Sequence, residues 1–184
     1  MKRRIQVLAF ALFVSQFVPA RQTFGQDVSP PSTLPAKVLV QTRNIDVSAD
    51  GSWTDTSHTE IQLLQQSVIG TPSQPALTYS EQLQQADVTE AYTLKADKTK
   101  LLVAPDAIIT QQSPMSAGSP LLSDLKQKVI IFPNVEVGDT IVYTTITHTR
   151  PQFLNNFVYD LVIPPPLPVD DVSYTITIHR RYKR

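Results

Sequence analysis

The sequence predicts an all-β fold, an antiparallel β-sandwich with at most one short helix. Three observations carry that expectation. Short runs of alternating apolar and polar residues recur along most of the chain, the period of a half-buried strand. Nineteen threonines concentrate in those runs, where β-branched side chains suit a pleated surface. The 15 prolines and 5 glycines cluster between the runs, as turn punctuation does.

Residues 1–20 read as a secretory signal. Lys2, Arg3 and Arg4 form a basic start, Ile5 to Val14 is apolar apart from Gln6, and Val18-Pro19-Ala20 offers a cleavage point, with a second after Gly25. That apolar run is short of the roughly 20 residues a spanning helix needs, so no stable membrane span is expected after cleavage. Residues 21–36 are a polar, Pro/Ser-rich approach segment, expected to be extended.

A β-rich domain is expected over residues 37–179. Val38, Val40, Ile45 and Val47 mark a first strand, Ala49-Asp50-Gly51-Ser52 a hairpin turn, and Trp53 to Leu64 the returning strand. Glu60 to Gln66 has helix-forming residues, but strand completes the hairpin. Gly70 to Pro75 reads as a loop, and Tyr79 to Gln85 carries the best helical composition in the chain. Asp87–Lys95 and Lys100–Ile109 read as strands joined by Ala96-Asp97-Lys98-Thr99, and Gln111–Pro120 as a long loop. Lys126–Phe132 is a further strand turned by Pro133-Asn134. Thr140–Thr149 follows the Val137-Gly138-Asp139 turn, with Ile141, Tyr143, Thr145 and Thr147 on one face. Asn155–Ile163 and Val172–Ile178 are the last two strands.

The formal charge of zero conceals three regions. The signal is basic, residues 21–179 carry 9 basic against 16 acidic side chains, and residues 180–184 hold Arg180, Arg181, Lys183 and Arg184. An acidic body without a basic stripe argues against nucleic acid as a partner. The absence of cysteine excludes disulfides, thiolate metal sites and a thiol nucleophile.

Catalytic constellations are not apparent. His58, His148 and His179 have no metal-ligand spacing, and no G-x-S-x-G elbow occurs. Asp170 and Asp171 are adjacent on a strand and so face opposite ways, a poor acid/base couple. Asp50, Asp55 and Glu60 lack a dense calcium-loop spacing. No cofactor, metal or enzymatic activity is therefore expected. Phe153, Phe157 and Tyr159 form the one aromatic constellation. They could present a binding platform, though Phe157 and Tyr159 two apart equally suit a sandwich core.

Several segments together resemble a known bacterial family. They are Glu90-Ala91-Tyr92-Thr93-Leu94-Lys95, Val103-Ala104-Pro105-Asp106-Ala107-Ile108, Ser116-Ala117-Gly118-Ser119-Pro120, Ser123-Asp124-Leu125-Lys126 and Val129 to Thr140. In that order they resemble the domain of unknown function that precedes transglutaminase-like domains in exported proteins. The phenylalanine-proline-x-valine-x-valine-glycine-aspartate run from Phe132 to Asp139 is the most specific piece. Phe132, Pro133, Gly138 and Asp139 have a structural reading: an apolar strand end, a stop to ladder pairing, a reversal and a backbone cap.

The resemblance implies an exported β-sandwich without chemistry of its own, periplasmic or secreted. The expected partner is a transglutaminase-like domain or another periplasmic protein. The family's proline-aspartate-glycine turn is Ala96-Asp97-Lys98-Thr99 here, without the glycine. The resulting expectation is a non-catalytic module for binding or domain assembly. Alternatives are the N-terminal fragment of a larger transglutaminase- or protease-like enzyme, and a cell-wall or carbohydrate-binding module. As a fragment, the chain would leave an open sheet edge at Val172–Ile178, guarded by the basic residues after it.

Overall fold

The first hairpin sets the frame for everything that packs on it. The computed structural model describes residues 34–70, 74–116, 124–151 and 169–179. Strand β1, Ala36–Val47, pairs antiparallel with β2, Trp53–Leu63, from Ala36 opposite Leu63 to Val47 opposite Trp53. Between them Gly51 turns at φ 88°, and the Asp50 carboxylate accepts from Ser52 N–H at 3.0 Å. Glycine is needed there because a side chain at positive φ meets its own backbone.

The remaining strands are β3 (Ala76–Ser80), β4 (Gln84–Leu94), β5 (Lys100–Leu102), β6 (Ile108–Gln112), β7 (Leu125–Ile130), β8 (Thr140–Thr149) and β9 (Val169–Ile178). They form a six-stranded sheet in the order β5-β4-β8-β2-β1-β9 and a three-stranded sheet in the order β3-β7-β6. The all-β expectation is met. The helical content among the described residues is three single-turn 3-10 segments, Gln66–Val68, Pro105–Ala107 and Pro114–Ser116. One pairing departs from the antiparallel rule: β9 lies parallel to β1, with Val38 opposite Val169 and Val47 opposite Ile178.

The segment with the best helical composition is not a helix. Tyr79 and Ser80 end β3, and Gln84 already begins β4. Ser80 holds the reversal between them: its N–H donates to Gln84 Oε1 at 2.9 Å and its carbonyl accepts from Leu83 N–H at 3.2 Å. Helix propensity is a weak preference, and two strands pairing with β7 and β8 outweigh it. Lys100–Ile109 likewise splits into two elements. Pro105 begins a 3-10 turn, so β5 stays in the large sheet while β6 joins the small one. The strand expected to reach Phe132 ends its ladder at Ile130.

Two bulges decide which side chains face inward. The register shifts between Val38 and Val40 in β1 and between Val88 and Glu90 in β4. Each extra residue reverses the alternation beyond it. One apolar cluster joins the sheets at one end: Ala36, Leu63, Ala91 and Ile141 from the large sheet meet Ile130 and Phe132. A second cluster, Ile45, Val47 and Trp53, lies at the hairpin end of β1 and β2.

The turn lacking the family glycine keeps the glycine conformation. Lys98 sits at φ 71°, while the Asp97 carboxylate accepts from Thr99 N–H at 2.9 Å, which holds the Asp97 acid below its usual range. A left-handed non-glycine residue costs about 1–2 kcal/mol, partly offset by the backbone freedom glycine loses on folding. Lys98→Gly is therefore expected to stabilise the chain by about 0.5–1 kcal/mol, raising Tm by ~2–4 °C in a calorimetric scan.

Candidate functional site

The Phe132–Asp139 run lies between β7 and β8 and ties the two sheets together. Phe132 is buried and packs against Tyr143, ring centroids 6.3 Å apart and planes tilted by 58°. The Pro133 carbonyl accepts from the fully buried Thr93 hydroxyl at 2.8 Å. Gly138 turns at φ 94°, and its N–H donates to the Leu63 carbonyl at 2.7 Å, while Leu63 N–H donates to the Asp139 carbonyl at 2.9 Å. Asp139 is 2% exposed. Its carboxylate caps Glu136 N–H at 2.8 Å and meets the Lys95 ammonium at 2.7 Å. Lys95 also donates to the Asn134 carbonyl at 3.0 Å and to Glu136 at 2.7 Å. Hydrogen bonds to Asp139 and then Glu136 raise the Lys95 pKa above its usual value. Thr93, Lys95 and Asp139 each bond to backbone in this cluster, while the Glu136 carboxylate pairs with Lys95.

A different arrangement occupies the middle of the large sheet's inner face. Cross-strand register lines up Gln41 with Thr59, Arg43 with Ser57, Ser57 with Thr145 and Thr59 with Tyr143. These residues form a polar belt between the two apolar clusters, where the small sheet covers the face incompletely. A crevice of about 160 Å³ opens there, closed on the far side by Pro75–Leu77 and Ile130. Arg43 forms a bidentate pair with Asp55, Nη2 to Oδ2 at 2.6 Å and Nε to Oδ1 at 3.0 Å. Asp55 is buried, so the pair is the belt's only means of carrying a carboxylate inward. The Thr59 hydroxyl bonds to the Tyr143 phenol, whose pKa burial raises. Gln41 Oε1 is buried with no hydrogen-bond partner among the described residues.

The third feature is the sheet edge at β9. Register with β1 puts Val172, Tyr174, Ile176 and Ile178 on the inner side of the sheet. Val172, Ile176 and Ile178 are 44%, 52% and 54% exposed.

The residues singled out from sequence scatter. Phe153, Phe157 and Tyr159 lie outside the described residues. Trp53 is buried in the core. Asp50 caps the hairpin, Asp55 pairs with Arg43, and Glu60 meets His58 Nε2 at 3.2 Å, so these three acids serve separate contacts. His148 is exposed and bonds through Nδ1 to Thr54 at 2.9 Å. His179 lies 3.1 Å from Asp46, and Asp170 pairs with Lys37 at 2.7 Å. No cluster of three metal-ligating side chains occurs among the described residues. No helix among them is long and apolar enough to cross a membrane. The polar belt escaped sequence reading because its members come from three strands and a bulge sets their facing. The signal that could have found it is the row of polar residues at alternate positions, Gln41 and Arg43, between apolar pairs.

Two unequal sheets with a polar belt between them define a β-sandwich module. The chain belongs to the DUF3857 family, a domain of unknown function with a solved structure, which matches residues 49–183. No curated protein matches the chain. Among solved structures, it is similar to a candidate protease of Parabacteroides distasonis at 23% identity and TM-score 0.59, covering 64% of this chain and 24% of that one. The chain thus spans about a quarter of that protein's length, and the likeness shows the fold. Two weaker matches are the CBM3a-L domain of scaffoldin cipA from Clostridium thermocellum and an M1 zinc metallopeptidase of Deinococcus radiodurans. The first has 10% identity and TM-score 0.38 and covers 73% of this chain and 81% of that one. The second has 13% identity and TM-score 0.33 and covers 64% and 21%.

Two outcomes are expected of the Lys95–Asp139 cluster. Asp139→Ala removes a buried cap and the buried one of the two carboxylates that pair with Lys95, and urea unfolding should show a loss of about 2–4 kcal/mol. Because the folded Lys95 pKa is raised, its contribution is complete below the ordinary value of 10.5 and is lost as pH rises through the folded value. The raised Tyr143 pKa acts in the same direction from 10.0 upward. Stability measured up to about pH 11 should fall at the alkaline end, and less steeply in Lys95→Met.

Proposed function

We propose that the chain is an exported, non-catalytic β-sandwich module that assembles with a neighbouring domain through β9. The carrying observation is the terminal strand of the large sheet, ten residues long, with Val172, Ile176 and Ile178 exposed on its inward-facing side. An apolar edge strand with a row of backbone donors and acceptors that no described strand pairs is a template for another chain. Natural single domains blunt such edges, and Asp170 and Asp171 charge only the start of this one.

The family resemblance supports a transglutaminase-like domain as the neighbour, and the match to about a quarter of a longer protein supports a module within a larger architecture. The basic n-region, the apolar run and the small residues at 18–20 support export to the periplasm or beyond. Phe132 packed in the core, the Pro133 carbonyl bonded by Thr93 and the Asp139 carboxylate capping Glu136 N–H support a structural reading of the Phe132–Asp139 run.

The reading frame beyond Arg184 provides the test. It is expected to encode a domain with Cys, His and Asp blocks, and joining that domain should slow amide exchange across Val172–Ile178 at least tenfold. Ile176→Lys should abolish the protection and weaken association about 10–100-fold, the loss of one half-buried aliphatic contact, without unfolding the module. Unchanged exchange in the joined protein, or transamidase or peptidase activity in the 184-residue chain alone, would overturn the proposal.

A further inference from the structure

The inner face of a sandwich is where apolar residues belong, yet six neighbouring positions at its centre are polar. On β1 the inward order runs Ala36, Val38, then Gln41, Arg43, then Ile45, Val47. On β2 it runs Leu63, Ile61, then Thr59, Ser57, Asp55, then Trp53. Apolar ends and a polar middle appear on both strands, and Thr145 continues the middle on β8. Buried polar groups are costly unless bonded, so most of the belt is satisfied internally: Arg43 by Asp55, Thr59 by Tyr143. The exception is Gln41. Its side chain lines the crevice, and its Oε1 is buried with no partner among the described residues. Orphaned buried acceptors are rare in folded proteins, and one on a side chain that lines a cavity is within a small rotation of a donor from outside.

We infer that this crevice is a binding site for a small, uncharged, polyhydroxylated group. Three properties narrow the ligand. The charged lining group, Arg43, is neutralised by a bidentate carboxylate, so the site offers no net charge to an ion. Ser57, Thr59, Tyr143 and Thr145 are hydroxyls, which donate and accept, whereas Gln41 Oε1 only accepts and requires a ligand O–H. The volume of about 160 Å³ resembles that of engineered cavities that take a six-carbon ring, which suits a four- or five-carbon polyol or one end of a sugar. Pro75, Leu77 and Ile130 supply an apolar wall for the carbon skeleton. The crevice adjoins the β9 stripe, since Gln41 lies opposite Val172 and Arg43 opposite Tyr174, but its assignment rests on the belt's bonding groups and not on the assembly proposed at β9.

The test is an NMR titration of the full chain with erythritol, D-xylose and a xylose disaccharide, with sodium acetate and benzene as charged and apolar controls. Erythritol or xylose should produce saturable shifts at the Gln41 side-chain amide and the Ser57 backbone amide, with Kd of the order of 1–10 mM. Tighter binding of the disaccharide would mark a glycan terminus as the source, and equal binding a free polyol. Gln41→Leu should weaken binding at least tenfold while leaving Tm unchanged or raised, because it removes an unsatisfied buried oxygen. Thr145→Val, which leaves Gln41 in place, should weaken it less. No saturable shift with any polyol, undiminished binding in both variants, or stronger binding of acetate or benzene would overturn the assignment and leave water as the crevice's occupant.

Discussion

The passage from the small sheet to the large one runs through Phe132–Asp139, and the packing of the whole sandwich depends on how that segment is held. Asp139 is the hinge of the arrangement. Its backbone carbonyl caps the end of β2 through Leu63, and its carboxylate binds both Glu136 N–H and the Lys95 ammonium at the end of β4. Phe132 is thereby set against Tyr143 in the cluster that joins the sheets. A buried carboxylate survives there because it is bonded to both a cation and backbone. The Phe132–Asp139 run is thus engaged in joining two layers.

The candidate binding surfaces arise from an inequality of the two sheets. Six strands face three, and the inner side of the larger sheet is only partly covered. Where cover is complete the residues are apolar, as at Ala36, Leu63 and Ile141. Where it is partial, the chain has two solutions. At the centre it places hydrogen-bonding side chains around a crevice, and at β9 it leaves aliphatic side chains exposed. The first suits a small hydroxylated ligand and the second a neighbouring domain, because bonding groups recognise donors while an apolar edge is stabilised by being covered.

Much of the fold was legible because strand signals are local. The β1–β2 hairpin reads from Val38 through Asp50-Gly51 to Trp53, and β8 from the turn at Gly138-Asp139 and the alternation after it. Tyr79–Gln85 misled because its helix-forming composition is a weak preference beside the pairings that β3 and β4 gain. Lys98 shows the converse: the family's glycine is gone, but the backbone keeps the conformation glycine would have taken. Of the candidate site little was legible. Arg43 and Asp55 are twelve residues apart, and the alternation on β1 changes face at the bulge between Val38 and Val40. No period counted along the chain registers that change.

By itself the sequence determined that the chain is all β, where its turns fall, and that no thiol chemistry is available to it, since alternation, turn residues and composition act within a few residues or need no structure at all. The apolar strand end at Phe132 and the turn at Gly138-Asp139 were visible there too. Only the tertiary structure decided that β9 lies parallel to β1 at the edge of the described sheet, that Lys95 is the partner of Asp139, and that Gln41 Oε1 has no partner among the described residues. Each of these depends on contacts between residues tens of positions apart, and on which face a bulge assigns to a side chain. Those are consequences of pairing and packing, which local sequence preferences do not carry.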